Sequence, residues 1–170
     1  MRSYKAKHLT YMALCVAAMT VMSQISIPFG ITFITVQTFV MALTGTFLGA
    51  KRGSLALLVY ILLGVVGVPV FAGFNGGIGV LLGYNGGFII GFFFIVALCG
   101  LPMGNTKRAL CGILGTLACH LLGVVWFKLV TGLGWWGAFV TSSLMFIIKD
   151  FLLVAGGTWV ASVLKKRIVR

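Results

Sequence analysis

One carboxylate stands out in this sequence, because Asp150 is the only acidic residue among 170. It lies about 18 Å along a predicted membrane-spanning helix, counted at about 1.5 Å per residue, and therefore near the middle of the bilayer. A charge at that depth costs at least a few kcal/mol unless it is paired, solvated or neutralised. Asp150 is therefore predicted to bind a ligand, and the alternative is a structural carboxylate that fixes helix packing.

The scarcity of acids argues against catalysis. One carboxylate cannot supply the acid and base pair of glycosyl transfer, and the sequence has no Gly-x-x-x-x-Gly-Lys-Ser/Thr loop for the phosphates of ATP. Histidines, cysteines and the single Asp show no metal-ligand spacing. The four cysteines have the character of small buried residues in apolar runs: Cys15, Cys99, Cys111 and Cys119. We therefore predict a protein that is not an enzyme and that needs neither a cofactor nor a metal.

Two further polar residues in apolar runs are candidates for the same site. Lys149 precedes Asp150, and consecutive helical residues point about 100° apart, so Lys149 either pairs with Asp150 or contacts the ligand. Gln37 is an amide within the apolar run of a predicted second helix. It either bonds another helix or lines the cavity that contains Asp150.

Three residues of the predicted fifth helix have simpler explanations beside a functional one. Trp126 is deep enough to form the wall of a pocket, although an aromatic belt at the membrane surface also explains it. Lys128 either extends to the membrane interface or contacts the ligand. His120 is a weaker candidate, because a lone histidine is more often a hydrogen-bonded packing residue.

A glycine-rich stretch, residues 71–87, is the second feature that indicates binding. It has seven glycines, two asparagines, one tyrosine and no charge. Glycine costs about 1 kcal/mol relative to Ala inside a helix, so the stretch is predicted to be a loop rather than regular helix. Its bare backbone allows a ligand to approach closely. It is predicted to cap or line a binding site, and the alternative is a flexible connection between two helices.

The composition determines which elements position these residues. Hydrophobic residues make up 61% of the chain and charged residues 8%, which is too little charge to cover a soluble domain of this size. The chain is therefore predicted to be one integral membrane domain, residues 1–170, without a cleaved signal peptide. Its net charge of +12 is attributed to membrane orientation and lipid attraction rather than to nucleic acid.

Six membrane-spanning helices are predicted, and the fold class is an all-α membrane protein. Eleven of the thirteen Lys and Arg residues fall at the two termini and in two of the five connections, and the other three connections have none. This asymmetry predicts that both termini are cytoplasmic. The glycine-rich loop between the third and fourth helices is then on the outer side. The predicted helices are 9–27, 31–48, 54–71, 88–101, 109–130 and 138–164.

Several motifs together resemble the BioY family, the biotin-binding S components of energy-coupling factor (ECF) vitamin transporters. The resemblance covers almost the whole chain and is most specific between residues 67 and 91. The stretches that match are Gln24-Ile-Ser-Ile-Pro28, Ile34-Thr-Val-Gln-Thr-Phe39, Leu48-Gly-Ala-Lys-Arg-Gly53, Gly67-Val-Pro-Val-Phe-Ala-Gly-Phe-Asn-Gly-Gly-Ile-Gly-Val-Leu-Leu-Gly83 and Gly86-Gly-Phe-Ile-Ile-Gly91, with looser matches at Leu121-Leu-Gly-Val-Val-Trp126 and Phe146-Ile-Ile-Lys-Asp150.

This resemblance implies a six-helix fold that holds biotin near the outer face, beneath the glycine-rich loop. It implies that Asp150 and nearby groups contact the ureido ring, and that residues of the loop help to hold biotin. The substrate-binding residues expected on this basis, together with the polar candidates above, are Asp150, Asn75, Gly73, Gly76, Gly77, Tyr84, Gln37, Lys149 and Trp126.

The resemblance also implies partners and a location. Ala13 and Ala17 are small residues one helical turn apart, and the family pattern gives them the role of docking on a transmembrane coupling protein, the T component. Two ATPase subunits would complete the transporter. The chain itself would be a multi-pass protein of a bacterial or archaeal plasma membrane.

Two alternatives remain open at this point. Many family members have a Lys three residues after the Asp, whereas this sequence has Leu153 there and Lys149 before the Asp. An S component for another vitamin or for a biotin precursor is therefore the first alternative. A membrane enzyme or a purely structural helix-packing protein is the second. The single acid argues against the enzyme, and the glycine-rich loop together with the buried Asp150 argues against a purely structural role.

Overall fold

The computed structural model describes residues 2–29 and 32–168, without the side chains of residues 2–5, 29 and 32. The predicted terminal positions Met1 and Arg170, the turn residue Gly30 and the predicted helix start Ile31 lie outside the described residues. The elements in the described part are α1 (Arg2–Gln24), β1 (Ser26–Phe29), β2 (Thr32–Thr35), α2 (Gln37–Leu48), α3 (Ala50–Val65), α4 (Ile78–Leu82), α5 (Gly86–Cys99), α6 (Asn105–Thr131), α7 (Trp135–Phe139) and α8 (Ile147–Ile168).

Helix α2 is at the centre of the packed helices, where it contacts α1, α3, α5 and α8. The most extensive helix pair is α5 with α6, and α6 also packs against α8. One apolar core joins these helices through fully buried side chains such as Met19, Tyr60, Ile95 and Val154. The prediction of a mostly helical protein is therefore confirmed.

A short β-hairpin interrupts the helices, so the prediction of an all-α fold is wrong in this respect. β1 and β2 pair antiparallel, with Ile27 opposite Ile34 and Pro28 opposite Phe33. Pro28 has no N–H for a helical hydrogen bond. Three of the four residues of β2 are β-branched and fit a pleated surface. The first helix therefore ends at Gln24 instead of Ile27, and the second begins at Gln37 instead of Ile31.

The glycine-rich stretch contains more helix than the sequence predicts. After a 3-10 turn at Ala72–Phe74, residues Ile78–Leu82 form the short helix α4. α5 begins at Gly86, two residues before the predicted start at Phe88. A Cβ atom at Gly87 would overlap Trp126 of α6, so the glycine there allows α5 and α6 to pack closely, and this contact outweighs its low helix propensity.

The remaining boundaries also shift. The third helix is Ala50–Val65, so it starts before residue 54 and ends well before residue 71. It starts directly after Gly49, whose φ of 81° lies in the left-handed region that favours glycine. α6 is longer than the predicted 109–130, and residues 135–168 form one extended helical segment in which a π-helical turn, Val140–Leu144, connects α7 to α8.

Among the described residues, two helical segments are long and apolar enough to cross a membrane, Asn105–Thr131 and Trp135–Ile168. α2 and α5 are apolar but shorter. Aromatic and aliphatic side chains remain exposed over much of the surface, including Leu121 at 69% and Trp159 at 68%. Such a surface is unfavourable in water and suits a membrane protein.

Gly157 sets the separation of α2 and α8, which yields the first prediction. A Cβ atom at Gly157 would overlap the backbone carbonyl oxygen of Phe39 on α2. Because backbone cannot rotate away, we expect Gly157→Ala to destabilise the protein by about 1–3 kcal/mol. The measurement is the midpoint of thermal unfolding in detergent.

Gly156→Ala is the matched control for this prediction. A Cβ atom at Gly156 would lie 3.7 Å from the ring of Phe39, which is ordinary van der Waals contact. Both substitutions add the same methyl group to the same helix, so the gain in helix propensity is shared. Equal midpoints for the two variants would show that α2 and α8 are not held in close contact.

Candidate functional site

A cavity of about 860 Å³, including the part that opens to solvent, lies between the hairpin, the glycine-rich stretch and the helices. The chain elements that line it are β2, α2, α4, α5, α6, α8 and the turns that join them. The lining residues are Phe33, Thr35, Gln37, Thr38, Phe71, Ala72, Asn75, Val80, Asn85, Phe88, Ile89, Phe92, Thr116, Cys119, His120, Ser142, Phe146, Lys149 and Asp150.

Asp150 lies in the wall of this cavity, in the first turn of α8, and is 6% exposed. Oδ1 accepts hydrogen bonds from Thr38 Oγ1 at 2.8 Å and Lys149 Nζ at 2.6 Å. Oδ2 lies 3.1 Å from Nε2 of His120. Three elements therefore contribute donors to one buried carboxylate: α2, α6 and α8.

His120 is more closely involved than the sequence suggests. Its Nδ1 is 2.6 Å from Oγ of Ser143, so its two ring nitrogens connect Ser143 to Asp150. Ser143 is fully buried in the π-helical turn Val140–Leu144. Because Ser143 fixes the orientation of the His120 ring, the ring in turn holds the carboxylate of Asp150 in place.

Lys149 connects the hairpin to the buried carboxylate. Its Nζ donates to the carbonyl oxygen of Thr35 in β2 at 2.6 Å and to Asp150 Oδ1 at the same distance. The predicted alternatives, pairing with Asp150 and contacting the ligand, are compatible in this arrangement, because Lys149 forms the pair and also lines the cavity. Leu153 does not line it.

Gln37 is also part of the cavity wall. It is 5% exposed, and its Nε2 donates to the hydroxyl oxygen of Tyr60 on α3 at 2.7 Å. Gln37 therefore both bonds another helix and lines the cavity that contains Asp150, the two alternatives predicted from the sequence. Thr38, the next residue of α2, bonds Asp150 directly.

In the glycine-rich stretch, only one of the five predicted binding residues reaches the cavity. Asn75 lines it, and its Nδ2 donates to the carbonyl oxygen of Ala72 at 2.8 Å. Gly73 and Gly77 adopt positive φ angles of 71° and 94°, which favour glycine, and so shape the turns. The remaining two, Gly76 and Tyr84, also lie away from the cavity.

The aromatic and basic residues near the end of α6 lie outside the cavity. Trp126 packs against Gly87, and its Nε1 donates to the carbonyl oxygen of Gly83 at 3.1 Å. It therefore supports the start of α5 and does not line the pocket. Lys128 places its Nζ 4.7 Å from the centre of the Trp135 ring, a cation–π geometry.

Several cavity residues were not identified from the sequence. Phe88 and Phe92 follow one another at a spacing of one helical turn, which in an apolar helix indicates core packing as readily as a pocket. Thr38 in the cavity wall, and Ser143 behind His120, are hydroxyl residues in apolar runs with no further signal in the sequence. A polar residue in a membrane-spanning run is a general indicator of a functional site, and His120 meets that criterion.

The arrangement suits a neutral polar group attached to an apolar body. Asp150 and Gln37 present acceptors in the wall, and Lys149 presents a donor. Aromatic side chains from several elements supply apolar contact. No group of three or more His, Cys, Asp or Glu residues that could hold a metal ion occurs in the part of the chain described by the structure.

Comparison with known proteins points to one family. The sequence profile of the BioY family matches residues 1–170. A protein of Pyrococcus horikoshii named "Probable biotin transporter BioY" is 40% identical over 157 residues, which cover 92% of this chain and 95% of the relative. "Biotin transporter BioY2" of Lactococcus lactis subsp. cremoris is 36% identical over 140 residues, covering 79% of this chain and 77% of the relative.

A solved structure has the same fold. The crystal structure of the S-component for biotin from an ECF-type ABC transporter superposes with a TM-score of 0.90 and covers 98% of this chain and 94% of that one. Its sequence identity to this chain is 24%, so the superposition is evidence for the shared arrangement of helices.

Proposed function

This chain belongs to the BioY family, and from that premise we propose that it is the biotin-binding membrane subunit, the S component, of an ECF-type vitamin importer. The observation that carries the proposal is the buried carboxylate of Asp150 in the wall of a cavity that is otherwise largely apolar. Biotin combines a cyclic urea, an apolar bicycle and a carboxylate tail. The urea presents two N–H donors and one carbonyl acceptor, which a carboxylate and its neighbouring donors can bind.

The rest of the cavity offers matching contacts for the other parts of biotin. Phe71, Phe88 and Phe92 supply apolar surface for the bicycle. The carboxylate tail needs N–H donors or a cation. Asn75 and backbone groups of the glycine-rich stretch are candidates for polar contacts there, and Lys149 is the one lysine of the described chain that lines the cavity.

We propose that Lys149 replaces the lysine that many relatives carry one turn after the Asp. Position 153 is leucine and does not line the cavity, whereas Lys149 reaches Asp150 at 2.6 Å from the preceding position. Gly73, Gly76, Gly77, Tyr84 and Trp126 would then act on the site indirectly, by shaping the glycine-rich stretch and the start of α5.

The proposed membrane topology has six crossings with both termini in the cytoplasm. The crossings would be α1, α2, α3, α5, α6 and the segment from α7 to α8. The distribution of Lys and Arg between alternate connections supports this orientation. The glycine-rich stretch and the hairpin would then face the outside of a bacterial or archaeal plasma membrane, where biotin arrives.

An S component of this kind is expected to work with a transmembrane coupling protein and two ATPase subunits. Ala13 and Ala17 are candidates for the docking face, because both are exposed on α1. The opposite face of α1 is buried against the rest of the protein through Cys15 and Met19. Small residues allow a partner helix to approach closely. No cofactor is expected for the binding step itself.

The experiment that tests the proposed function is calorimetric titration of the purified chain with biotin in detergent. We expect tight, near-equimolar binding of biotin and no binding of riboflavin or thiamine. Selective binding of another vitamin, or of a biotin precursor over biotin, would favour the alternative solute that the Leu153 substitution keeps open. A folded sample that binds none of these ligands would contradict the proposal.

A further inference from the structure

We infer that Gln37 is a second hydrogen-bond acceptor for the ligand, and that Tyr60 holds its amide in the accepting orientation. This inference rests on the proposed binding of biotin and extends it. It assigns the two N–H groups of the cyclic urea to two different residues, one to Asp150 and the other to Gln37.

The orientation of the Gln37 amide follows from a chain of hydrogen bonds that ends at a backbone carbonyl. The Tyr60 hydroxyl lies 2.9 Å from the carbonyl oxygen of Val70. A carbonyl has no proton to donate, so Tyr60 donates its single proton there. The Tyr60 oxygen therefore accepts at its other contact, and the Gln37 atom 2.7 Å away is the amide nitrogen.

This orientation leaves Oε1 of Gln37 as an acceptor in the cavity wall. The side chain is 5% exposed and lines the cavity, and no residue in the described part of the chain donates to Oε1. Oε1 is not among the buried polar atoms that lack a partner, so it is open to the cavity. A ligand N–H in the cavity can therefore donate to it, and a ligand that placed an oxygen or apolar atom there would leave it without a donor.

The hydrogen bonds of Asp150 explain why a second acceptor is needed. A carboxylate offers roughly four lone-pair sites. Thr38, Lys149 and His120 already occupy three of them. One site therefore remains for the ligand, so Asp150 can accept from one urea N–H while the other N–H requires a different partner.

Gln37 is better placed for that role than the asparagine of the glycine-rich stretch. Gln37 and Thr38 are consecutive in α2, and Thr38 contacts Asp150 directly. Asn75 also lines the cavity, but it is exposed and uses its amide nitrogen on Ala72 within its own turn. Of these two amides, Gln37 is the one that combines burial, cavity contact and an orientation fixed by another helix.

The test uses two carbamate analogues of biotin, in which a ring oxygen replaces one or the other urea N–H. Each analogue is titrated into the wild type, Gln37→Met, Tyr60→Phe and Asp150→Asn. We expect the wild type to bind biotin about 10–100-fold more tightly than either analogue, because each replacement leaves an acceptor unpaired. Tyr11→Phe, at an aromatic contact with Phe47 away from the cavity, is the matched control for Tyr60→Phe.

We expect Gln37→Met to weaken biotin binding about 10–100-fold and to abolish discrimination against one analogue only. Asp150→Asn should abolish discrimination against the other. Tyr60→Phe should reproduce the pattern of Gln37→Met with a smaller loss, because the amide is then free to rotate, and Tyr11→Phe should bind like the wild type.

Two results would overturn the inference while leaving the proposed function intact. One is a wild type that binds biotin and binds either carbamate analogue as tightly as biotin. The other is a Gln37→Met variant that binds biotin with wild-type affinity, or whose affinities for biotin and for both carbamates fall by the same factor. A folded wild type that does not bind biotin would overturn the proposed function and this inference together.

Discussion

Asp150→Asn is expected to weaken biotin binding at least about 100-fold, which corresponds to about 2.7 kcal/mol. Asparagine has the same shape but places an NH₂ group where one carboxylate oxygen was. That group would face either Nε2 of His120 or the pair formed by Thr38 and Lys149, each of which donates to the carboxylate in the wild type. The substitution also leaves Lys149 without its anionic partner, and an unpaired charge in a largely buried site is costly.

The measurement is calorimetric affinity for biotin on the purified variant, with folding verified by gel filtration and thermal unfolding. Thr158→Val is the control on the same helix. Thr158 is buried, bonds the carbonyl oxygen of Ala155 and does not line the cavity. This variant should bind biotin like the wild type. Unchanged affinity in a folded Asp150→Asn variant would remove Asp150 from the binding site.

Ala13→Leu is expected to abolish assembly with the coupling protein and the ATPase subunits while biotin binding remains within about twofold of the wild type. Ala13 is exposed on α1, next to the exposed Leu14 and opposite the buried Cys15. A larger side chain at this position would keep a partner helix from approaching the small surface that Ala13 and Ala17 form. The cavity lies elsewhere, so its affinity should not change.

The measurement is co-purification of the coupling protein and ATPases with the tagged chain from co-expressing cells, followed by biotin uptake. Ala155→Leu adds the same side chain at an exposed alanine on α8 and should leave the assembly intact. If Ala13→Leu co-purifies with its partners in normal amounts and supports uptake, the docking role of the α1 face is wrong.

Three residues that sequence analysis predicted for the site are polar groups in apolar runs that line the cavity. Asp150, Gln37 and Lys149 all line the cavity. Each was identifiable because a polar side chain in a membrane-spanning helix is costly without a compensating role. This criterion depends on residue type and local surroundings alone, so a sequence is sufficient to apply it.

The glycine-rich stretch was harder to interpret for a physical reason. Glycine serves both a loop that needs positive φ, as at Gly73, and a helix that needs close contact, as at Gly87. The sequence does not distinguish these uses, because the partner at Gly87 is Trp126, 39 positions further along the chain. Whether the stretch is loop or helix is therefore decided by tertiary contact.

The hairpin was missed for a similar reason. Residues 26–35 are mostly apolar or β-branched, and a short apolar run of this kind suits a strand as well as the end of a helix. The strands pair with each other, and β2 is further fixed by the bond from Lys149 to Thr35. That bond crosses more than a hundred residues of sequence, beyond the reach of any local pattern.

The π-helical turn Val140–Leu144 has a consequence for comparing this chain with its relatives residue by residue. A π turn accommodates one residue more than an α-helical turn, so a relative lacking a residue here would continue as a regular helix. Each helical residue accounts for about 100° of rotation and 1.5 Å of rise. An alignment gap inside 140–144 would then rotate Trp135–Phe139 relative to Asp150 and remove Ser143 from His120. Relatives with a single-residue gap at this position are therefore expected to lack the Ser143–His120 contact that holds the buried carboxylate, even where the carboxylate itself aligns.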